Sequence, residues 1–139
     1  MTQGAIELEV VTPERKLVSV EATEVVVPGI DGYFGVLPGH APFLTRLGVG
    51  EITYKDGTGT HFLAAADGVV EVLPHRVTIL AALCEPAQEI DIERAREAKQ
   101  RAEAAMKESA KMSDQDMLMI ELSLKKALAR LQVAERIRR

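Results

Sequence analysis

Tryptophan is absent from this chain and aromatic residues make up only 4% of it. A buried core must therefore be built from Val, Leu, Ile and Ala, and large aromatic anchors for binding are scarce. Cysteine occurs once, at Cys84, which excludes an intrachain disulfide. Its neighbours Ala81-Ala82-Leu83 point to a buried thiol, and a reducing compartment fits. No apolar run approaches the roughly 20 residues that span a bilayer. Met1-Thr2-Gln3-Gly4 has neither a basic nor an apolar segment, so no signal peptide is expected. Positive charge is in deficit as well: a net charge of −4 works against nucleic acid as the main partner.

Catalytic patterns are missing too. There is no P-loop and no dinucleotide fingerprint. His40, His61 and His75 are scattered without metal-ligand spacing, so no metal site is expected. Cys84 has no His or basic residue next to it to activate a thiolate, and no Ser sits in a Gly-x-Ser-x-Gly elbow. No catalytic residue and no required cofactor are expected. His40, in Leu37-Pro38-Gly39-His40-Ala41-Pro42, has two readings. It is a general base, or it hydrogen-bonds backbone to hold a loop that two prolines already stiffen. The second is favoured, because no partner acid or nucleophile is evident.

Glycine and proline also vanish after Pro86, and that absence divides the chain. Residues 4–84 hold every Gly and most of the Pro, with many β-branched residues. Ala5-Ile6-Glu7-Leu8-Glu9-Val10 alternates apolar and acidic side chains, the period of a strand with one wet face. Val25-Val26-Val27 reads as a strand covered on both faces. Asp31-Gly32, Asp56-Gly57 and Asp67-Gly68 read as turns between strands. Residues 62–66, 69–73 and 77–83 then make a meander with Pro74-His75-Arg76 as a corner. Strands at such spacing favour a sandwich or flattened barrel.

Residues 87–139 are rich in strong helix formers. Asp91 is a natural N-cap, ahead of a narrow stripe through Ile92, Ala95, Ala98, Ala102 and Ala105. Ser113-Asp114-Gln115-Asp116 resembles a break followed by a capping box. Met117, Ile120, Leu124, Ala127, Leu131 and Ala134 then form a seam for a second helix. The fold class expected is α+β: an N-terminal antiparallel β-sandwich over residues 1–85, then an antiparallel two-helix hairpin over residues 86–139. Alanine seams bury little area at about 25 cal/mol per Å², so the hairpin reads as a marginal, switchable element. Residues 1–84 carry a net charge of −5, whereas the segment from Met117 onward, ending in Arg136, Arg138 and Arg139, carries +4. That basic helix is either a solvated face or a surface for an acidic partner.

The segment Gly29-Ile30-Asp31-Gly32-Tyr33-Phe34-Gly35-Val36-Leu37-Pro38-Gly39-His40-Ala41-Pro42 resembles the signature loop of the epsilon subunit of F-type, proton-translocating ATP synthases. Asp67-Gly68-Val69-Val70-Glu71-Val72 resembles that family's second landmark, with Asp67 replacing a Gly. Ile90-Asp91-Ile92-Glu93-Arg94-Ala95 and Ala127-Leu128-Ala129-Arg130-Leu131 are similar to its helical landmarks, so the likeness covers nearly the whole chain. The resemblance implies a non-catalytic rotor subunit at the cytoplasmic face of a bacterial inner membrane. Its sandwich would rest on the gamma subunit and the c-ring, with Tyr33 and His40 in the contact loop. Tyr33 stands where many members have Glu, so that carboxylate's polar role is not carried over.

The hairpin would either fold on the sandwich or extend toward the alpha and beta subunits and inhibit ATP hydrolysis. Lys125, Lys126 and Arg130 would then meet an acidic segment of beta. The resemblance also implies a regulatory ATP, with or without magnesium, on the folded hairpin. Glu85, Ile90, Asp91, Arg94, Ala95, Arg101, Lys126 and Arg130 would hold it. Lys126 replaces an Arg found in strong binders and loses its bidentate fork, and Asp91 equally reads as a helix cap alone. The rival class is a free-standing ligand-binding sandwich with a helical dimerisation tail, distinguishable because it would need no gamma-like partner.

Overall fold

The computed structural model describes residues 4–137, so Arg138 and Arg139 lie outside the described residues. The alternation near the N-terminus becomes β1 (Ile6–Val11), which buries Ile6, Leu8 and Val10 completely. Glu7 and Glu9 point the other way, toward Arg76 at 3.1 Å and Lys16 at 3.5 Å. β2 (Lys16–Ala22), β3 (Glu24–Gly29), β4 (Gly32–Val36), β5 (Phe43–Asp56), β6 (Gly59–Leu73) and β7 (Arg76–Pro86) complete a seven-stranded sheet, ordered β2-β1-β7-β6-β5-β3-β4. Its pairings are antiparallel except that of β1 with β7, the first strand lying parallel to the last. The sheet coils on itself: Thr23, just after the edge strand β2, donates its N–H to the carbonyl of Lys55 in β5 at 2.8 Å. All seven strands feed one core of Val, Leu, Ile and Ala with Tyr54, as the dearth of aromatics requires.

Two strand readings are corrected. Asp67-Gly68 is not a turn: residues 62–66 and 69–73 are halves of the single strand β6, and Asp67-Gly68 is a positive-φ irregularity inside it that leaves the register unbroken. Asp67 has φ 65° and Gly68 φ 150°, and pairing with both β5 and β7 skips Asp67. The ladders on either side keep the chain in line, so a dipeptide that would turn a free hairpin only interrupts the pairing at Asp67. In the Val25-Val26-Val27 run, Val25 and Val27 are fully buried while Val26 is half-buried. The outer face there is only partly covered.

The β5–β6 turn carries a polar cluster. Asp56 Oδ1 accepts from the Thr58 N–H at 2.8 Å and the Thr58 hydroxyl at 2.7 Å, and lies 2.9 Å from His61 Nε2. The Thr58 hydrogen bonds, more than His61, hold the Asp56 carboxyl down at about 2 against an ordinary 3.8. The folded carboxyl titrates below the unfolded one, so its contribution to stability is complete above about 4 and lost as pH falls toward 2. An NMR titration should place the Asp56 midpoint near 2, and Thr58→Ala should return it toward 3.8. A midpoint unmoved by that substitution would refute the assignment.

After a short 3-10 turn (Ala87–Glu89) come α1 (Ile92–Met106) and α2 (Asp114–Glu135), packed against each other as an antiparallel hairpin. Asp91 caps α1 by accepting from the Arg94 N–H, and Ser113 caps α2 by accepting from the Asp116 N–H, each at 3.1 Å. Ala95 and Ala102 of the first stripe, and Ala127 and Ala134 of the second, are buried. The larger seam members Met117, Ile120, Leu124 and Leu131 remain half-buried, the thin packing expected of an alanine stripe.

Candidate functional site

The hairpin lies against the sheet, and α2 makes that contact, on β5 and β6. Glu51 and Ile52, and the run from Leu63 to Ala66, are consecutively buried although a strand alternates its faces. The core covers one face and α2 the other. The apolar part of the seam is small: Ala64, Ala87, Ile90, Val133 and Ala134, with Phe62 and Ile92 beside them. Burying a Val side chain contributes roughly 1.5–3 kcal/mol and an Ala much less, so apolar packing alone holds α2 weakly.

Ion pairs supply the rest. Arg136, just past the end of α2, forks onto Glu51, Nε to Oε2 at 2.9 Å and Nη2 to Oε1 at 3.0 Å. The guanidinium also lies over the Phe62 ring, 5.4 Å from its centroid. The Glu51 side chain is only 9% exposed, so here a carboxylate stands in the interface with its charge answered. Nearer the hairpin base, Arg130 Nη2 donates to Glu85 Oε2 at 3.3 Å. Arg130 Nε lies 2.6 Å from Glu85 Oε1 but off line, leaving that buried N–H without an aligned acceptor. Arg15 pairs with Glu89 on the linker.

Tyr33 has a defined place beside this seam. Its phenol lies across Gly50, where a Cβ would come within 2.2 Å of the hydroxyl, so residue 50 must be glycine while the ring sits there. The hydroxyl accepts from the Glu51 N–H at 2.9 Å. That donor falls where the β3–β5 register slips between Val26 and Gly29, so the phenol stands in for a missing ladder partner. His40 donates from Nδ1 to the Ala41 carbonyl at 2.7 Å, and Gly39 N–H reaches the Pro74 carbonyl at 2.6 Å. This is the backbone-holding arrangement, and it ties the loop to the β6–β7 corner. Burial, with Glu85 adding to it, pushes the Cys84 thiol up to about 12, which removes it as a nucleophile.

The residues singled out from the sequence separate into three places. Glu85 and Arg130 are joined at the hairpin base, near the start of α1 where buried Ile90 and Ala95 flank the capping Asp91 and the exposed Arg94. Arg101 lines a shallow groove between the helices with Ala98 and Ser123. Lys125 and Lys126 face a cleft of about 610 Å³ between α2 and the sandwich, which they share with Tyr33, Arg46 and Asp67. His40 sits apart at the β6–β7 corner.

Glu51, Val133 and Arg136 were not read as site residues. Glu51 looks like any wet-face carboxylate in a strand, and only the helix lying on it changes its meaning. Val133 breaks the seam's spacing by standing next to Ala134. Two adjacent buried positions at a helix end signal that it is wedged between two surfaces, here α1 and the sheet.

This architecture is a β-sandwich carrying a lightly docked helical hairpin. Residues 5–87 match the family described as ATP synthase, Delta/Epsilon chain, beta-sandwich domain, and residues 88–135 match its long alpha-helix domain. The chain is 46% identical over 131 residues to the ATP synthase epsilon chain of Syntrophobacter fumaroxidans, covering 94% of this chain and 96% of that one. It is 46% identical over 129 residues to that of Geobacter sulfurreducens, covering 93% of each. The fold matches a chain in the Euglena gracilis mitochondrial ATP synthase OSCP/F1/c-ring structure with TM-score 0.79 at 21% identity, covering 95% of this chain and 82% of that one. The protein belongs to the ATP synthase delta/epsilon chain family, as a subunit that is not itself catalytic.

Proposed function

We propose that this subunit is part of the central rotor of a bacterial F-type ATP synthase. It couples proton translocation to ATP synthesis and restrains ATP hydrolysis through its C-terminal helices. The sandwich rests on the gamma subunit and the c-ring, at the cytoplasmic face of the inner membrane. Among the described residues no helix is long and apolar enough to cross a bilayer, which fits attachment through partners. The similarity to epsilon chains over nearly the full length supports the assignment, as does the likeness to a chain in an F1/c-ring structure.

The observation that carries the regulatory part is where the last helix spends its cations. Arg130 is paired with Glu85 and Arg136 with Glu51 in the docked arrangement. The side chains that would meet an acidic surface on beta are thus partly engaged, and the docked hairpin is the non-inhibitory state. ATP, with or without magnesium, favours this state by binding it selectively. The unaligned Arg130 Nε–H supports an anion at this end of α2. Lys126 would have to swing out of its cleft to join it.

Added to F1 that lacks its own copy, the chain should co-purify with gamma and lower the hydrolysis rate. Calorimetry should show saturable ATP binding to the chain that Arg94→Ala abolishes. Failure to bind gamma would overturn the rotor reading. No heat at millimolar ATP would remove the nucleotide and leave the rest standing.

A further inference from the structure

The contacts that hold α2 to the sheet gather at one end. The seam from Met117 to Ala127 serves the helix pair, whereas Arg130, Val133, Ala134 and Arg136 serve the sandwich. The hairpin can therefore leave the sheet while its two helices stay paired, and the last turn of α2 decides whether it does. Within that turn the apolar part is one Val and one Ala. The polar part is a bidentate guanidinium–carboxylate fork over an aromatic ring, the strongest geometry open to such a pair.

The carboxylate end of the fork is also prepared. Glu51 lies on the stretch of β5, residues 48–52, that the β3–β5 register shift leaves without a β3 partner, and the Tyr33 hydroxyl supplies an acceptor for its N–H. Gly50 leaves room for that phenol. Tyr33 is itself 57% exposed, at the tip beside the Ile30–Asp31 turn.

We propose that the Arg136–Glu51 fork is the latch that sets the docked population of the hairpin, with the Tyr33 hydroxyl positioning Glu51 to receive it. The latch rests on the two-state hairpin proposed above and names the residues that set its balance. Arg136 is 41% exposed in its side chain and Glu51 9%, so the two ends respond differently when the contact breaks. Without Arg136 the docked helix covers a carboxylate stripped of its counter-charge, a penalty that undocking or protonation relieves. An exposed pair would show almost no such effect.

Amide hydrogen exchange on the full chain tests this, with α2 and sheet amides followed separately. Arg136→Ala should speed exchange of the last two turns of α2 at least tenfold and leave β1 and β7 unchanged. Arg136→Lys, which keeps the charge and loses the fork, should fall between. In a Glu51→Ala background Arg136→Ala should have little further effect, because the charge it would strand is gone. Tyr33→Phe should loosen α2 in the same direction by less, and add nothing once Glu51 is Ala. If α2 exchanges independently of the sheet at a rate that Arg136→Ala does not change, the latch is wrong and the two-state hairpin survives. If α2 exchanges only with global unfolding in every variant, the two-state reading fails and the latch with it.

Discussion

Gly68→Ala should destabilise the sandwich by about 3 kcal/mol, a large fraction of what holds a small domain. The effect has two sources at one atom. With φ 150°, Gly68 occupies backbone space that side chains rarely enter, and its added Cβ would stand 1.9 Å from the Leu80 carbonyl oxygen of β7. That oxygen is backbone, held in the β6–β7 ladder on either side of Asp67, so it cannot rotate away. Urea denaturation of the purified chain measures the loss as a lower midpoint at unchanged slope. Gly57→Ala is the control, since a Cβ there meets nothing within 4 Å. Equal stability for the Gly68 variant and wild type would mean that the backbone at Gly68 is not rigid.

Val133→Asp should release α2 from the sheet while leaving the sandwich folded. Val133 is fully buried among Ala64, Ala87, Ile90 and Ala134. The substitution removes the largest apolar contact at the end of α2 and puts a carboxylate in its place, near Glu51. The two effects together act against docking by on the order of 3 kcal/mol or more. The main core contains no α2 residue, so a thermal melt reporting on the sheet should barely move. Exchange of the final α2 turns should rise by two orders of magnitude or more. If sheet and helix lost protection together, the hairpin would be part of the sandwich's cooperative unit, and a switch built on undocking would be untenable. The same variant is the open-state reference for the latch experiment.

How far the site was legible differs residue by residue. The Asp91 and Ser113 caps could be read directly, because capping depends on residues three apart in the chain. The Leu37–Pro42 loop and the structural role of His40 were legible for the same reason: the partners are near neighbours, Ala41 and Leu37. In the sequence Tyr33 stands out only as a departure from a family pattern. Its contact is with Glu51, eighteen residues away, across a register slip that nothing local announces. Asp67-Gly68 reads as a turn in the sequence, yet one strand runs through it. Two residues fix a local conformation, but the neighbouring strands decide whether the chain reverses.

Arg130 and Arg136 show the same division. As a cationic patch they were plain, since the net charge from Met117 onward needs only counting. Their partners Glu85 and Glu51 lie 45 and 85 residues earlier, on strands that could have carried them into water.

The sequence by itself determined what depends on short range and on period: a β half without long helices, a helical half without Gly or Pro, a core without tryptophan, and the helix caps. It also determined membership of a family, because landmark loops are local strings. Only the tertiary structure decided which carboxylate each arginine meets, that the first strand runs parallel to the last, and that β5 at Glu51–Ile52 and β6 at Leu63–Ala66 are covered on both faces. Those outcomes follow from how a coiled sheet closes and where a helix lands on it. Such contacts between distant residues leave no periodic trace in either partner's own segment.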